Sequence, residues 1–333
     1  MKRPNIKTLL IGALAGLTAA LLAQGALKPS FFSVVLYAAC AIPILLSGLA
    51  WGNAAATAAV VTASVVTFVS LGAVQSGFYV VALMLTLVAF VPAGWLSHLA
   101  NLARPAAELG GPDNLLAWYP ISDILLHLCV LVTIAVIVIG VVVGYGPEAT
   151  DQMVDVLMSA LQQQQPDFIP DPAVTAQTKS LVVLMLPALQ SGMWVVMLFA
   201  AYYIATRIVA ASGKGLRPRE DVPSSLRMNR NSIFIFLAGL AACFFGGVPA
   251  LVGATVIGAF GAGFMLSGFA SLHFRTRGKD WRTPALILCY LASMLMLLPA
   301  LLILVLGLSD TRKAIALTPT KDADAPKQSD TKI

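Results

Sequence analysis

The chain has 333 residues, of which 59% are hydrophobic and only 11% charged, and its mean hydropathy is +0.87. Soluble domains carry nearer one quarter charged residues, so a water-soluble globular protein is excluded. The net charge of +6 sits mostly in connectors and tails, which points to loop placement around a membrane and to no nucleic-acid partner.

The apolar runs are continuous rather than alternating, which excludes a β-barrel. Several reach the ~20 residues a helix needs to cross a bilayer. The expected fold is all-α: a polytopic transmembrane helical bundle of about nine spans. The first span, about 8–27, follows Lys2, Arg3 and Lys7, which puts the N-terminus in the cytoplasm of a bacterial inner-membrane protein. Its basic start and apolar core look superficially like a signal peptide, but the run is read as an uncleaved span because it is long and more spans follow. Gly12 and Gly16 in it form a G-x-x-x-G that permits close helix packing. Spans 2 to 4 are expected at about 30–49, 54–71 and 78–96, with Pro43 and Pro92 inside the second and fourth. No Asp, Glu, Lys or Arg occurs between Lys28 and Arg104, so no charged group there can couple ions. A polar connector, 98–120, follows on the inner side.

Span 5, about 121–143, begins after Pro120 and carries Asp123 and His127. Four residues apart, they share one helix face. They would hold a proton or a polar headgroup, or else act as a helix cap and a hydrogen-bonded histidine. The segment 145–179 is acidic, and its first half has the spacing of an amphipathic helix at the outer surface. Span 6, about 180–206, is longer than a bilayer requires, so it should tilt or protrude, and Pro187 is placed to kink it. Gln190 and Ser191 beside Trp194 would line an outward-facing pocket or hydrogen-bond between helices.

The segment 207–230 carries six basic residues (Arg207, Lys214, Arg217, Arg219, Arg227, Arg230) against two acids. Such a loop stays on the cytoplasmic side, where it would meet anionic headgroups or a partner protein. Span 7 is about 232–245 and the glycine-rich span 8 about 250–272. His273 is expected at the interface. Arg275, Arg277, Lys279 and Arg282 form a second basic inner loop, again facing anionic headgroups. Span 9 is about 284–306, with Pro299 inside it. The chain thus divides into a six-span block (1–206), a basic connector (207–231), a three-span block (232–307) and a disordered polar tail (308–333). Nine spans put the C-terminus outside. If the short span 7 is re-entrant, or an early span does not cross, the count is eight and the tail is inside. Neither a cofactor nor a metal is implied, and no catalytic motif marks an enzyme. The four cysteines (Cys40, Cys129, Cys243, Cys289) lie in apolar runs and form no CxxC pair.

The C-terminal part has a helix with Gly268 and Ala270 leading to His273-Phe274, a basic turn with Trp281, and a last helix ending Gly307-Leu308-x-Asp310. Upstream stand Leu49-Ala50-Trp51-Gly52 and Leu216-Arg217-Pro218-Arg219. In this order these motifs resemble the bacterial membrane-protein family called domain of unknown function 2232. That family is distantly similar to the substrate-capture subunits of energy-coupling-factor vitamin transporters. The resemblance implies small-molecule transport or ligand capture, energised by a partner ATPase, and it carries no ligand or catalytic residue with it. A structural or assembly protein that recruits membrane partners through its basic loops is the other reading.

Overall fold

Small residues, rather than charges, bring the first helices together. In the computed structural model, which describes residues 5–28, 31–72, 79–144, 147–164, 171–311 and 315–319, α1 (Ile6–Ala26) runs beside α4 (Asn53–Gly72). A Cβ on Gly12 would run into the Ala55 carbonyl, and one on Gly16 into the Ala59 carbonyl. The G-x-x-x-G is therefore the seam along which the two backbones touch. The matched order of the contacts, 12 to 55 and 16 to 59, makes the helices parallel.

Prolines decide where the next apolar runs break. The second run divides into α2 (Ser33–Ala39) and α3 (Ile42–Trp51). Pro43 takes the first turn of α3, where its missing N–H costs nothing. The fourth run is α5 (Tyr79–Leu85), a five-residue π-helical turn Thr86–Phe90, and α6 (Val91–Ala100). The wider turn lies immediately before Pro92, which cannot donate to the ordinary ladder. The connector after α6 is not plain coil. It folds as an antiparallel pair, β1 (Ala103–Pro105) with β2 (Leu115–Trp118), in the register Ala103 to Trp118. Helix α7 (Ile121–Val143) follows Pro120.

The acidic segment contains α8 (Pro147–Gln164), held to the next helix by Lys179, which reaches Asp151 at 3.1 Å and Asp155 at 3.2 Å. Residues 165–170, with Asp167, lie outside the described residues. Helix α9 (Pro172–Ala211) has 40 residues and continues through Pro187. At 1.5 Å per residue it is roughly 60 Å long, about twice the hydrocarbon thickness, so it protrudes as its sequence implies. After the basic connector and the one-turn α10 (Val222–Ser225) come α11 (Asn231–Ala242), a 3-10 turn Cys243–Phe245, and α12 (Gly247–Arg275). The last apolar run gives α13 (Arg282–Leu295) and α14 (Leu297–Ser309), and β3 (Leu317–Pro319) ends the described chain.

Among the described residues, seven helical segments are long and apolar enough to cross a membrane, or eight if α13 and α14 count as one span; α11 is shorter. The protein is thus an all-α, multi-pass helical bundle with a short sheet at one end. Helices α7, α9 and α12 form its centre. A Cβ on Gly258 would strike the Ala188 carbonyl, and the Cys129 thiol lies 3.4 Å from the Ala259 carbonyl. Leu125, Leu128, Phe260 and Phe264 fill the remaining space. All four cysteines are free.

The end of the chain departs from the sequence reading. Helices α13 and α14 are bent by 115° at Met296, whose backbone is extended. Pro299 explains the position. Its ring clashes with the carbonyl four residues back, that of Leu295, and it has no N–H to offer there. The ninth run therefore turns back on itself. Asp310, just past α14, bonds Arg227 of the basic connector at 2.7 Å. Strand β3 then pairs with β2, Leu317 opposite Ala117. The C-terminal segment thus lies at the same end of the bundle as the basic connector. The start of α1 is at that end too, since α1 is parallel to α4 and α4 begins next to Trp51, whose ring carries Lys214 at 4.5 Å. The tail is also not featureless from 308 onward, because 315–319 are built into the sheet. Residues 320–333 lie outside the described residues.

Candidate functional site

The basic connector folds as a cap over the ends of the helices, and three arginines do the tying. Arg217 donates to the Tyr119 carbonyl at 2.7 Å and the Ala100 carbonyl at 3.3 Å, and pairs with Glu220. It thus joins the connector to both ends of the β1–β2 segment. Arg277 donates to Asp221 at 2.6 Å, linking the second basic loop. That hydrogen bond, with another from Ser224, holds the Asp221 carboxyl below its ordinary range. Arg227 is the third. Its side chain is 1% exposed. It donates to Asp310 and to the carbonyls of Leu226 at 2.6 Å and Pro223 at 3.0 Å. Ser271 of α12 donates to the same Asp310 oxygen at 2.9 Å. A buried arginine is tolerable only when paired in this way.

Between this cap and the foot of α9 lies a cavity of about 60 Å³, lined by Tyr202, Tyr203, Arg207, Asn101, Arg217, Arg219 and Glu220 among others. A water needs roughly 10–15 Å³ of such space, so the cavity admits a few waters or one small anionic group. The spacing of α9 puts Tyr203 and Arg207 on one face, and the guanidinium sits 5.6 Å from the ring centre. Glu220 offsets Arg217. Arg207 and Arg219 make no ion pair among the described residues. Two cations without ion-pair partners among the described residues give this cavity a positive potential.

The residues singled out from the sequence fall in three places. Asp123 and His127 do share a face, but no bond joins carboxylate to imidazole. His127 Nδ1 lies 2.8 Å from the Asp123 backbone carbonyl. A carbonyl only accepts, so Nδ1 carries the proton. The Asp123 carboxylate accepts from the Asn229 amide at 2.6 Å, which fastens the start of α7 to the end of the connector. Gln190, Ser191 and Trp194 lie together on α9. Ser191 donates to the Thr255 carbonyl at 2.8 Å, a bond between helices. Gln190 Nε2 is 4.0 Å from the Met84 sulfur, and Trp194 packs edge-on to Tyr37 at 6.2 Å. The Trp194 indole nitrogen is buried and has no hydrogen-bond partner among the described residues. His273 Nε2 is 2.9 Å from the Tyr290 hydroxyl, and Tyr290 stacks on Phe269 at 4.4 Å. That contact attaches α13 to α12.

Comparison with protein-family models, curated proteins and solved structures finds no match.

Sequence reasoning took Arg227 as one charge among six and missed its role. The signal was its setting, Ser-Ser-Leu-Arg-Met, where a single cation stands among apolar residues inside a polar loop. Its partner Asp310 is the first acid after Asp280. Asn101, whose amide donates to the Gly48 carbonyl at 2.8 Å, and Asn229 were passed over as loop polarity.

Proposed function

We propose that this protein captures a small anionic molecule, or the anionic head of an amphiphile, at the basic end of its bundle. The observation that carries the reading is the cavity at the foot of α9, with Arg207 and Arg219 making no ion pair among the described residues around it. Arg217 is already oriented by Glu220 and two carbonyls, so little ordering is left for binding to supply. The basic end faces the cytoplasm by the positive-inside rule, in a bacterial inner membrane. With the short α11 as a crossing and α13–α14 re-entrant, the chain crosses eight times and both described ends are cytoplasmic. The reading agrees with the resemblance to domain of unknown function 2232 and to capture subunits, and with a separate ATPase partner supplying energy for any transport.

The test is native mass spectrometry of gently extracted protein, followed by titration with inorganic phosphate and with vesicles of phosphatidylglycerol. Arg207→Ala with Arg219→Ala removes two charge-assisted contacts of about 1.5–3 kcal/mol each and should abolish binding of the anion that the native chain retains. Binding that survives the double substitution refutes the proposal. Saturation by phosphate alone identifies a soluble ligand; saturation only by vesicles identifies a lipid head.

A second reading has its own observation. Arg217, Arg227 and Arg277 tie the connector to β1–β2, to α14 and to the second basic loop. A face fixed at three points suits an assembly protein that presents a rigid cytoplasmic surface. Charge reversal at Lys214 and Arg219, which lie outside those ties, should then release partners recovered from membranes; unchanged partners refute it.

A further inference from the structure

A second hollow lies apart from the cavity of the basic cap and shares no lining residue with it. It lies between α4 and α6, measures about 360 Å³, and is walled by Val60, Val61, Val91 and Trp95 over a floor that includes Ala56 and Gly94. That volume is at the lower end of the roughly 300–1,000 Å³ typical of small-molecule sites. The hollow exists because α6 approaches α4 through a glycine: a Cβ on Gly94 would press on Val60. Both helices are long and apolar enough to cross the membrane, and Val61 and Trp95 are exposed. The open side of the hollow therefore faces hydrocarbon.

One end is different. Asn53, which begins α4, and His98, near the end of α6, both line the hollow. They stand at the basic end of the bundle, at the depth of lipid headgroups. His98 contacts the Trp95 ring at 5.5 Å, and neither its imidazole nor the Asn53 amide makes a side-chain hydrogen bond among the described residues. Trp51, two residues before Asn53, carries Lys214 over its ring, which adds a cation at the same level.

We infer that the α4–α6 hollow holds one anionic phospholipid, with an acyl chain along the valines and its phosphate at Asn53 and His98. The pattern is that of an amphiphile: an apolar trough inside the bilayer, ending in unengaged hydrogen-bonding groups and a nearby lysine at the surface. An acyl chain satisfies the valines without leaving any polar group in hydrocarbon. A phosphate oxygen accepts from the asparagine amide and the imidazole N–H. The site is separate from the anion cavity, and it stands whether or not that cavity binds anything.

The full chain in nanodiscs of phosphatidylethanolamine and phosphatidylglycerol, with a small fraction of phosphatidylglycerol bearing a diazirine on its chain, tests the inference. After irradiation, adducts should concentrate on 53–61 and 91–98. Thr57 is exposed on the same wall, so Thr57→Phe fills the trough without disturbing the packing of α4, and it should remove those adducts. Asn53→Ala with His98→Ala should lower occupancy roughly tenfold or more, the ratio expected from two lost hydrogen bonds. A diazirine diacylglycerol, lacking the phosphate, should label as weakly as that double variant. Arg207→Ala with Arg219→Ala should leave the labelling unchanged, which separates this site from the cavity. Adducts spread evenly over all lipid-facing helices overturn the proposal. So does labelling that Thr57→Phe leaves intact, or a protein chain cross-linked in the trough in place of lipid.

Discussion

Replacing Arg227 by alanine should loosen the last helical pair from the rest of the bundle. The substitution removes the donor at 2.7 Å from Asp310 and the two donors to the Leu226 and Pro223 carbonyls. Breaking one side of a buried ion pair costs about 3–5 kcal/mol. Asp310 is 12% exposed and keeps the Ser271 hydroxyl at 2.9 Å, so the lower end, about 3 kcal/mol, applies here. For a chain of this size that corresponds to a fall in the unfolding midpoint of about 4 °C. Thermal unfolding in detergent reads the global effect. Amide hydrogen exchange over 297–311 reads the local one, and it should rise before any other helix loses protection. A second variant separates the ion pair from simple damage. Arg227→Met with Asp310→Leu replaces both charges by apolar groups, which is often near neutral, and should restore most of the midpoint. If Arg227→Ala leaves both the midpoint and the exchange of 297–311 unchanged, the clasp does not hold the pair. If the double variant is worse than the single one, the loss was packing and not an orphaned carboxylate.

Three further outcomes follow from other contacts. Pro299→Ala returns an N–H to the Leu295 carbonyl, so spin labels at 287 and 305 should move apart as the 115° bend opens; an unchanged distance would mean that packing on α12, not proline, sets the bend. Gly258→Leu places a side chain against the Ala188 carbonyl and should destabilise by about 1–3 kcal/mol or more, read as a lower midpoint; a neutral result would refute the close seam of α9 and α12. Asp221 has a lowered pKa in the folded protein, so its contribution is present above the ordinary carboxylate range and is lost as pH falls through the folded value. Acidification through that range should speed exchange of 276–281 in the native chain and not in Asp221→Asn, which lacks the titrating group; equal pH dependence in both would remove Asp221 from the account.

Side placement is checked most directly by cysteine labelling in a variant without the four native cysteines. Labels at Asp155 and Ser224 should react from opposite sides of the membrane, and one at Thr318 should behave like Ser224. A Thr318 label that behaves like Asp155 would contradict the pairing of β3 with β2.

Most of the helices were legible because hydrocarbon demands long uninterrupted apolar runs and leaves little else to specify. Gly12 and Gly16 announced their seam for the same reason, since nothing but a small residue permits that approach. The crossing number was harder. Pro43, Pro92, Pro187 and Pro299 look alike in sequence, yet one begins a helix, one follows a π turn, one lies within a continuous helix and one stands just after a near-reversal. Neighbouring packing, which a single sequence does not display, decides among these. The candidate site was only half visible. The density of charge in 207–230 marked the region, but which arginines are buried in ties and which face a cavity depends on Glu220, Asp221 and Asp310, two of them within the loop and one over eighty positions away. Asp123 and His127 were correctly placed on one face, while the carboxylate's actual partner, Asn229, comes from another segment. The β2–β3 pairing joins residues two hundred positions apart and had no local signal beyond short apolar stretches.

The reversal at Met296 also gives the molecule a shape. The contacts that α13, α14 and Asp310 make with Gly261, Phe264, Gly268, Phe269, Ser271 and His273 of α12 fall on the half of that helix nearer the basic end. The pair therefore widens the bundle at the basic end. A body broader at one end than at the other displaces unequal numbers of lipids in the two leaflets of any bilayer it crosses. Such a body fits best where the leaflet at its broader end is locally short of lipid area, so its lateral distribution should follow membrane curvature.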